Sequence, residues 1–123
     1  MGWLAWVEKS FTEDSVHIDR ELGTYRGRQA IKEWMESLLP MFPPVFSYEL
    51  EWYMIDGDRV VTYHRDGFPD PRGGSPFDCA VITVLRYTGD GRWSYEEDVY
   101  NPKELENALS DYTAAQAEVQ VGG

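Results

Sequence analysis

The segment VVTYHRDGF (Val60 to Phe68) starts as an ordinary β-strand and then brings a histidine and a carboxylate where burial is expected. Successive side chains of a strand point to opposite faces, so His64 and Asp66 share one face while Arg65 lies on the other. Facing a cavity, an imidazole and a carboxylate at this spacing can accept and return protons. Facing solvent, Asp66 only ends the strand before a glycine. The sequence leaves both interpretations open.

A second polar row lies on the last predicted strand. One face of that strand carries Ser94, Glu96, Asp98 and Tyr100. If both polar rows face one interior, His64, Asp66 and Asp98 meet in a pocket. Asp19, at the end of the segment SVHID, is a further candidate base. The structural alternatives are that Asp98 accepts hydrogen bonds from the backbone near Asn101, and that Asp19 caps the loop that follows it.

The elements that position these residues are predicted from hydrophobic periodicity. The N-terminal part is expected to contain a short helix over residues 3–12, a short strand over SVHID and a loop over ELGTYRG. A second helix begins at Arg28, repeats apolar pairs at helical spacing and ends at the proline-rich segment PMFPP. The lone cysteine, Cys79, lies in an apolar run and is expected to be a small core residue.

From residue 46 onward the period changes from helical to two, which indicates antiparallel strands. The segment VFSYELEWYMI is predicted to share one apolar face made of Phe46, Tyr48, Leu50, Trp52 and Met54. The turn DGD leads to a strand over 59–66, and strands over 77–87 and 92–100 follow. NPKE begins a final helix, with Asn101 as N-cap, Pro102 at the first position and Glu104 completing a capping box.

Composition limits the class of protein. The 123 residues form one α+β domain, 1–123, with a core over about 3–112 and a tail, 113–123, that is expected to fray. Eleven basic and twenty-two acidic residues give a formal charge of −11, which disfavours nucleic acid and anionic membranes as partners. One cysteine excludes an intramolecular disulfide. With no signal peptide or membrane span apparent, the protein is expected to be cytoplasmic.

Four segments together resemble the SnoaL-like branch of the nuclear transport factor 2-like superfamily, over roughly residues 3–110. They are FTEDSVHID, GTYRGRQAIKEW, EWYMIDGDRVV and LRYTGDGRWSYEEDVYNP. The resemblance implies a curved antiparallel sheet wrapped by helices into a cone with an internal pocket, often in a homodimer. Relatives include ketosteroid isomerases, polyketide cyclases, limonene epoxide hydrolases and non-catalytic binding proteins. Family members usually carry a longer helix before the part that matches Trp3 to Phe11, and that helix lines or covers the cone. It has no counterpart in this sequence, so a more open pocket is expected.

The similarity to limonene epoxide hydrolases implies one acid/base set. His64 stands where that family has an arginine, and Asp66 and Asp98 stand at its two aspartates. One carboxylate would deprotonate a water while the other, kept protonated, would donate to the epoxide oxygen. Two carboxylates in a pocket of low dielectric cannot easily both ionise, so their pKa values are expected to separate. Histidine lacks the permanent charge and the forked donors of arginine.

The similarity to ketosteroid isomerase implies a second possibility. Asp19 matches the position of that family's general base, whereas Thr83 falls where the isomerase has a protonated acid. An oxyanion hole of that type is therefore not matched. Asp19 could still abstract a proton in a cyclase-type reaction, with His64 or Tyr100 holding the enolate.

The last predictions concern the residues of the pocket wall and whether a metal or cofactor is required. Trp34, Trp52 and Tyr100 are expected to shape the pocket and, together with Thr83, to contact the ligand, although tryptophans at these positions are more often core. A metal site from His17, Asp19 and His64 is weighed and disfavoured, and no cofactor is expected. The sequence therefore predicts an acid/base enzyme acting on a hydrophobic small molecule. The alternative is a non-catalytic binding or dimerisation module on the same fold.

Overall fold

The computed structural model describes residues 3–122, with side chains from residue 4 to residue 121. In chain order its elements are α1 (Trp3–Ser10), β1 (Phe11–Asp19), β2 (Gly23–Arg26), α2 (Arg28–Leu38), a 3₁₀ turn (Leu39–Met41), β3 (Ser47–Asp56), β4 (Arg59–Phe68), β5 (Phe77–Gly89), β6 (Arg92–Tyr100) and α3 (Pro102–Gly122). The predicted α+β class is confirmed. None of the helices within 3–122 is both long and apolar enough to cross a membrane.

The six strands form one curved, unclosed sheet in the order β2-β1-β6-β5-β4-β3. The sheet is mixed, and the expectation of an antiparallel sheet holds only in part, because β1 runs parallel to β6. A parallel pair needs a long crossover connection, and here the whole segment between β1 and β6 supplies it. The pairing sets His17 opposite Glu96 and Asp19 opposite Asp98.

The sequence predicted a loop over the whole segment ELGTYRG, but part of this segment forms a strand. Its second half is β2, which pairs antiparallel with β1 from Val16 opposite Arg26 to Asp19 opposite Gly23. Gly23 has a φ of 126°, a conformation that favours glycine and lets the chain return. The first strand is also longer than SVHID, because it begins at Phe11, and the first helix accordingly ends at Ser10 and not at residue 12 as predicted.

A register shift in β3 changes which of its side chains face inward. Tyr48 lies opposite Asp66 and Leu50 opposite His64, but the next pair is Trp52 opposite Tyr63. One extra residue in a strand moves all following side chains to the other face. The prediction that Trp52 and Met54 share a face with Tyr48 is therefore wrong.

The helices cover one side of the sheet and provide the core. Val7, Phe11 and Ile31 form a fully buried cluster between α1, α2 and the sheet. At the start of α3, the side chain of Asn101 accepts a hydrogen bond from the Lys103 amide at 2.9 Å, as expected of an N-cap. The helix then continues past residue 112 to Gly122 and buries Ala115, so residues 113–122 are helical and not a frayed tail.

Candidate active site

A cavity of about 300 Å³ lies between the curved sheet, the end of α2 and the start of α3. Most of its wall is aliphatic and aromatic, including Met35 and Leu38 of α2, Phe68 of β4 and Leu105 of α3. The polar side chains in the wall are Asp19, Ser47, Tyr48, Asp66, Asp98 and Tyr100. An apolar wall with a few convergent ionisable groups is the usual form of a small-molecule site.

Asp98 is held by two donors from neighbouring strands. Nε2 of His17 lies 2.8 Å from Oδ2 of Asp98, and the hydroxyl of Thr83 donates to Oδ1 at 2.8 Å. Oε2 of Glu96 lies 3.4 Å from the same Nε2. Because Nε2 faces two carboxyl groups, it acts as the donor to Asp98. His17 is only 2% exposed, and its Nδ1 has no hydrogen-bond partner in the described part of the chain.

The pKa values of Glu96 and Asp98 are shifted in opposite directions. Burial raises the pKa of Glu96 well above its usual range, and the neighbouring charge of Asp98 raises it further. Burial also acts to raise the pKa of Asp98, but the hydrogen bond and charge of His17 and the hydrogen bonds from Glu96 and Thr83 outweigh it and lower that pKa. The two pKa values are therefore separated, as expected of two neighbouring buried acids.

Sequence reasoning missed Glu96 as a functional residue. The alternation of β6 already places it in the same row as Asp98, so a signal was present. What the sequence lacked was the parallel pairing that brings His17 beside Glu96. A separation of pKa values of the kind expected for two buried acids is found between Glu96 and Asp98.

Asp19 and Tyr100 form a second polar pair in the cavity wall. The hydroxyl of Tyr100 lies 2.9 Å and 3.1 Å from the two carboxylate oxygens of Asp19. The backbone amides of Glu21 and Leu22 also donate to Asp19, so this residue does cap the loop after β1 while lining the cavity. Burial and the adjoining Asp19 raise the pKa of Tyr100, which keeps its hydroxyl a donor at neutral pH.

His64 and Asp66 share one face of β4, as alternation predicts. Nε2 of His64 lies 3.3 Å from Oδ1 of Asp66, and Nδ1 lies 3.1 Å from the Thr62 hydroxyl. Asp66 lines the cavity, whereas His64 is buried behind it against the ring of Tyr48. The Asp66 side chain is 47% exposed, yet its Oδ1 is buried and finds no hydrogen-bond partner within the residues that the structure describes.

The predicted Asp66–Asp98 pair shares the cavity wall but no hydrogen bonds. Asp66 lies opposite Cys79 of β5, whereas Asp98 lies opposite Thr83 of the same strand. Each carboxylate has its own histidine, His64 for Asp66 and His17 for Asp98.

Three residues predicted to contact a ligand are not part of the cavity wall. Trp34 stacks on Tyr25 at 4.3 Å between ring centroids and directs its edge at His17 at 4.9 Å. Trp52 stacks on Tyr63 on the opposite face of the sheet, because of the register shift in β3. Thr83 is buried and acts on Asp98.

The sequence disfavours a metal site made of His17, Asp19 and His64. In the described part of the chain, the group whose potential ligand atoms lie within 4.8 Å of one another is instead that of His17, Glu96 and Asp98. Since His17 already donates a hydrogen bond to Asp98, hydrogen bonding accounts for this arrangement. Burial raises the pKa of the Cys79 thiol to about 11, so it remains protonated.

Comparisons with known proteins agree with this architecture. The family model described as the SnoaL-like domain matches residues 4–96. No curated protein matches the sequence significantly. A protein from Catenulispora acidiphila DSM 44928 with a ketosteroid isomerase-like fold, solved in complex with trimethylamine, is 21% identical, with a TM-score of 0.69, over 87% of this chain and 81% of that one.

Two further structures are similar at the level of the fold. A putative SnoaL-like polyketide cyclase from Jannaschia sp. CCS1 is 20% identical, with a TM-score of 0.67, over 89% of this chain and 79% of that one. An epoxide hydrolase of the limonene epoxide hydrolase-like type from M. tuberculosis is 17% identical, with a TM-score of 0.66, over 93% and 82%.

Proposed function

The chain belongs to the SnoaL-like domain family, and from this premise we propose that it is an acid/base enzyme that transfers a proton on a hydrophobic small molecule. The observation that carries the proposal is the Glu96–Asp98 pair, in which Asp98 lines an apolar cavity and has a lowered pKa, while burial raises the pKa of the neighbouring Glu96. Such a pair can take up a proton at Asp98 and return it without placing two negative charges in a buried site.

Asp98 is the proposed base because it lines the cavity. It would abstract a proton from a carbon next to a carbonyl group, and the hydroxyl of Tyr100 would donate a hydrogen bond to the oxygen that becomes negative. Tyr100 now donates to Asp19, so this role requires the hydroxyl to turn toward the substrate. His17 and Thr83 are positioning residues, because they hold Asp98 without lining the cavity.

Cyclase-like or isomerase-like proton transfer is favoured over the hydrolase-like alternative. An epoxide hydrolase mechanism needs one water between an acid and a base. Asp66 pairs with His64, whereas Asp98 is held by His17 and Thr83, and this separate pairing argues against a shared water. The ligand-bearing Catenulispora structure supports a small organic molecule as occupant of this kind of fold.

Hydrogen–deuterium exchange tests the proposal without knowledge of the natural substrate. 2-Tetralone and 1-indanone are incubated with the protein in D₂O, and loss of the proton signal next to the carbonyl is followed by NMR. We expect the wild type to accelerate the exchange and Asp98→Asn to reduce the enzymatic rate about 100-fold, since a positioned base contributes about that factor. Glu97→Gln, the neighbouring carboxylate on the opposite face, is the matched control and should keep the rate. An Asp98→Asn protein as fast as wild type would contradict the assignment.

A second candidate function is a non-catalytic binding or dimerisation module. The observation in its favour is an apolar row across the outer face of the sheet, formed by Trp52, Tyr63, Ile82 and Val99 in direct register. Trp52, Ile82 and Val99 are exposed, which is costly in water unless another surface covers them. A homodimer through this row is compatible with either function, so only the exchange assay separates the two.

A further inference from the structure

The charged side chains that line the cavity are all acidic. Three carboxylates line the cavity, those of Asp19, Asp66 and Asp98, and its wall contains no lysine or arginine in the part of the chain that the structure describes. The basic side chains on nearby strands are paired elsewhere, Arg20 with Glu97 and Arg65 with Asp78. An anionic ligand would therefore enter against several negative charges, whereas a cation would be attracted.

Only one of the three carboxylates has an oxygen left without a hydrogen bond. Asp19 receives the Tyr100 hydroxyl and two backbone amides, and Asp98 receives His17 and Thr83. Among the described residues, Oδ1 of Asp66 has no hydrogen-bond partner, although Nε2 of His64 lies 3.3 Å away. The rest of this carboxylate is open, because the side chain is 47% exposed and lines the cavity, so Asp66 gains most from a ligand that brings a donor or a positive charge.

Aromatic rings surround this carboxylate. Tyr48 lies directly opposite Asp66 in the register of β3 and β4, and Phe68 is the next residue on the same face of β4. The ring of Phe68 lies 6.5 Å from that of Phe42 and 6.3 Å from that of Phe46, and all four residues line the cavity. Aromatic faces beside a carboxylate attract organic cations through their negative quadrupole.

We propose that the cavity binds a hydrophobic molecule that carries a protonated amine, with the ammonium group at Asp66 and the apolar body against the aromatic rings and α2. The inference names the ligand class of the site in the proposed function, and it rests on that function only for the choice of cavity. Recognition at Asp66 leaves Asp98 free as the base.

Three probes with the same body but different charge test the proposal. These are 4-phenylbutylamine, 4-phenylbutanol and 4-phenylbutyrate, and their binding to the wild-type protein is measured by calorimetry near neutral pH, where the amine is protonated. We expect the amine to bind at least about tenfold more tightly than the alcohol, since a charged partner strengthens a hydrogen bond by that order. The carboxylate should bind more weakly than both.

Two variants test whether the charge of Asp66 is responsible for the preference for the amine. Asp66→Asn should lower the affinity for the amine to that for the alcohol, whereas Asp90→Asn, which removes one charge at an exposed turn, should leave the preference intact. Equal affinities in the wild type, failure of the amine to bind, or a preference that survives in Asp66→Asn would each overturn the proposal. The exchange assay is independent: lost exchange with intact amine preference rejects only the enzyme, and the reverse result rejects only the ligand class.

Discussion

At the scale of single residues, the chemistry of the cavity depends on which carboxyl group is kept neutral. Alternation along β4 and β6 could be read from the sequence, and it correctly groups His64 with Asp66 and Glu96 with Asp98. The partner of Asp98 could not be read, because it comes from β1 through a parallel pairing with no local signal. The similarity to hydrolases therefore pointed to Asp66 as the acid paired with Asp98, whereas the acid whose pKa is raised by burial is Glu96.

The raised pKa of Glu96 makes a prediction about stability. A carboxyl whose folded pKa exceeds its unfolded value favours the folded state at pH values below 4.5, and this contribution is lost as the pH rises toward the folded pKa. Glutamine cannot ionise in either state, so Glu96→Gln should be more stable than wild type at pH 8, on the order of 1–3 kcal/mol, with the gain shrinking toward pH 5. Urea unfolding followed by circular dichroism at both pH values measures the difference.

The control for this experiment is Glu97→Gln. Glu97 lies on the other face of β6 and has a lowered pKa, through its hydrogen bond with Tyr95 and its pairing with Arg20. Its replacement should not produce a gain that grows with pH. A Glu96→Gln protein that is less stable than wild type at pH 8 would show that Glu96 is ionised in the folded state.

At the scale of elements, strands β3 to β6 and helix α2 could be predicted nearly to their ends, because periodicity and turn residues are local signals. Three features could not be predicted. The pairing of β2 with β1 joins a short segment to a strand end, and the shift between Leu50 and Trp52 adds one residue without altering the sequence pattern. The end of α3 consists of small residues with weak periodicity. The shift in β3 had a direct functional consequence, since it removed Trp52 from the predicted pocket wall.

Helix α3 contributes Leu105 to the cavity wall and begins at a cap that was predicted from NPKE. Asn101→Ala removes the acceptor of the Lys103 amide, so the free energy of unfolding should fall by about 1 kcal/mol. Asn107→Ala, the same substitution at an exposed position within the helix, should instead leave stability unchanged or raise it slightly, because alanine has the higher helix propensity. Urea unfolding of the two variants and wild type makes the comparison. Equal losses in both variants would mean that the cap contributes nothing specific.

At the scale of the whole molecule, the two faces of the sheet carry different kinds of side chain. The inner face carries the carboxylates and is covered by helices, whereas the outer face carries the row Trp52, Tyr63, Ile82 and Val99. A sheet with an apolar outer row buries it against another layer, and a second copy of the chain is the partner that needs no further component. Dimerisation would also stiffen the strands from which Asp66 and Asp98 project.

The proposed homodimer predicts that Ile82→Arg dissociates the protein, because Ile82 lies in the middle of the row and a buried, unpaired guanidinium is strongly unfavourable. Sedimentation velocity should give a dimer for the wild type and a monomer for Ile82→Arg, with an unchanged circular dichroism spectrum. Val119→Arg places the same charge on an exposed apolar residue of α3 and should remain dimeric. A wild-type protein that sediments as a monomer would leave the outer row without a second copy to cover it, and the surface of the sheet would then have to be explained by another partner. Because Ile82 points away from the cavity, amine binding by the Ile82→Arg monomer would further show that the ligand site is complete within one chain.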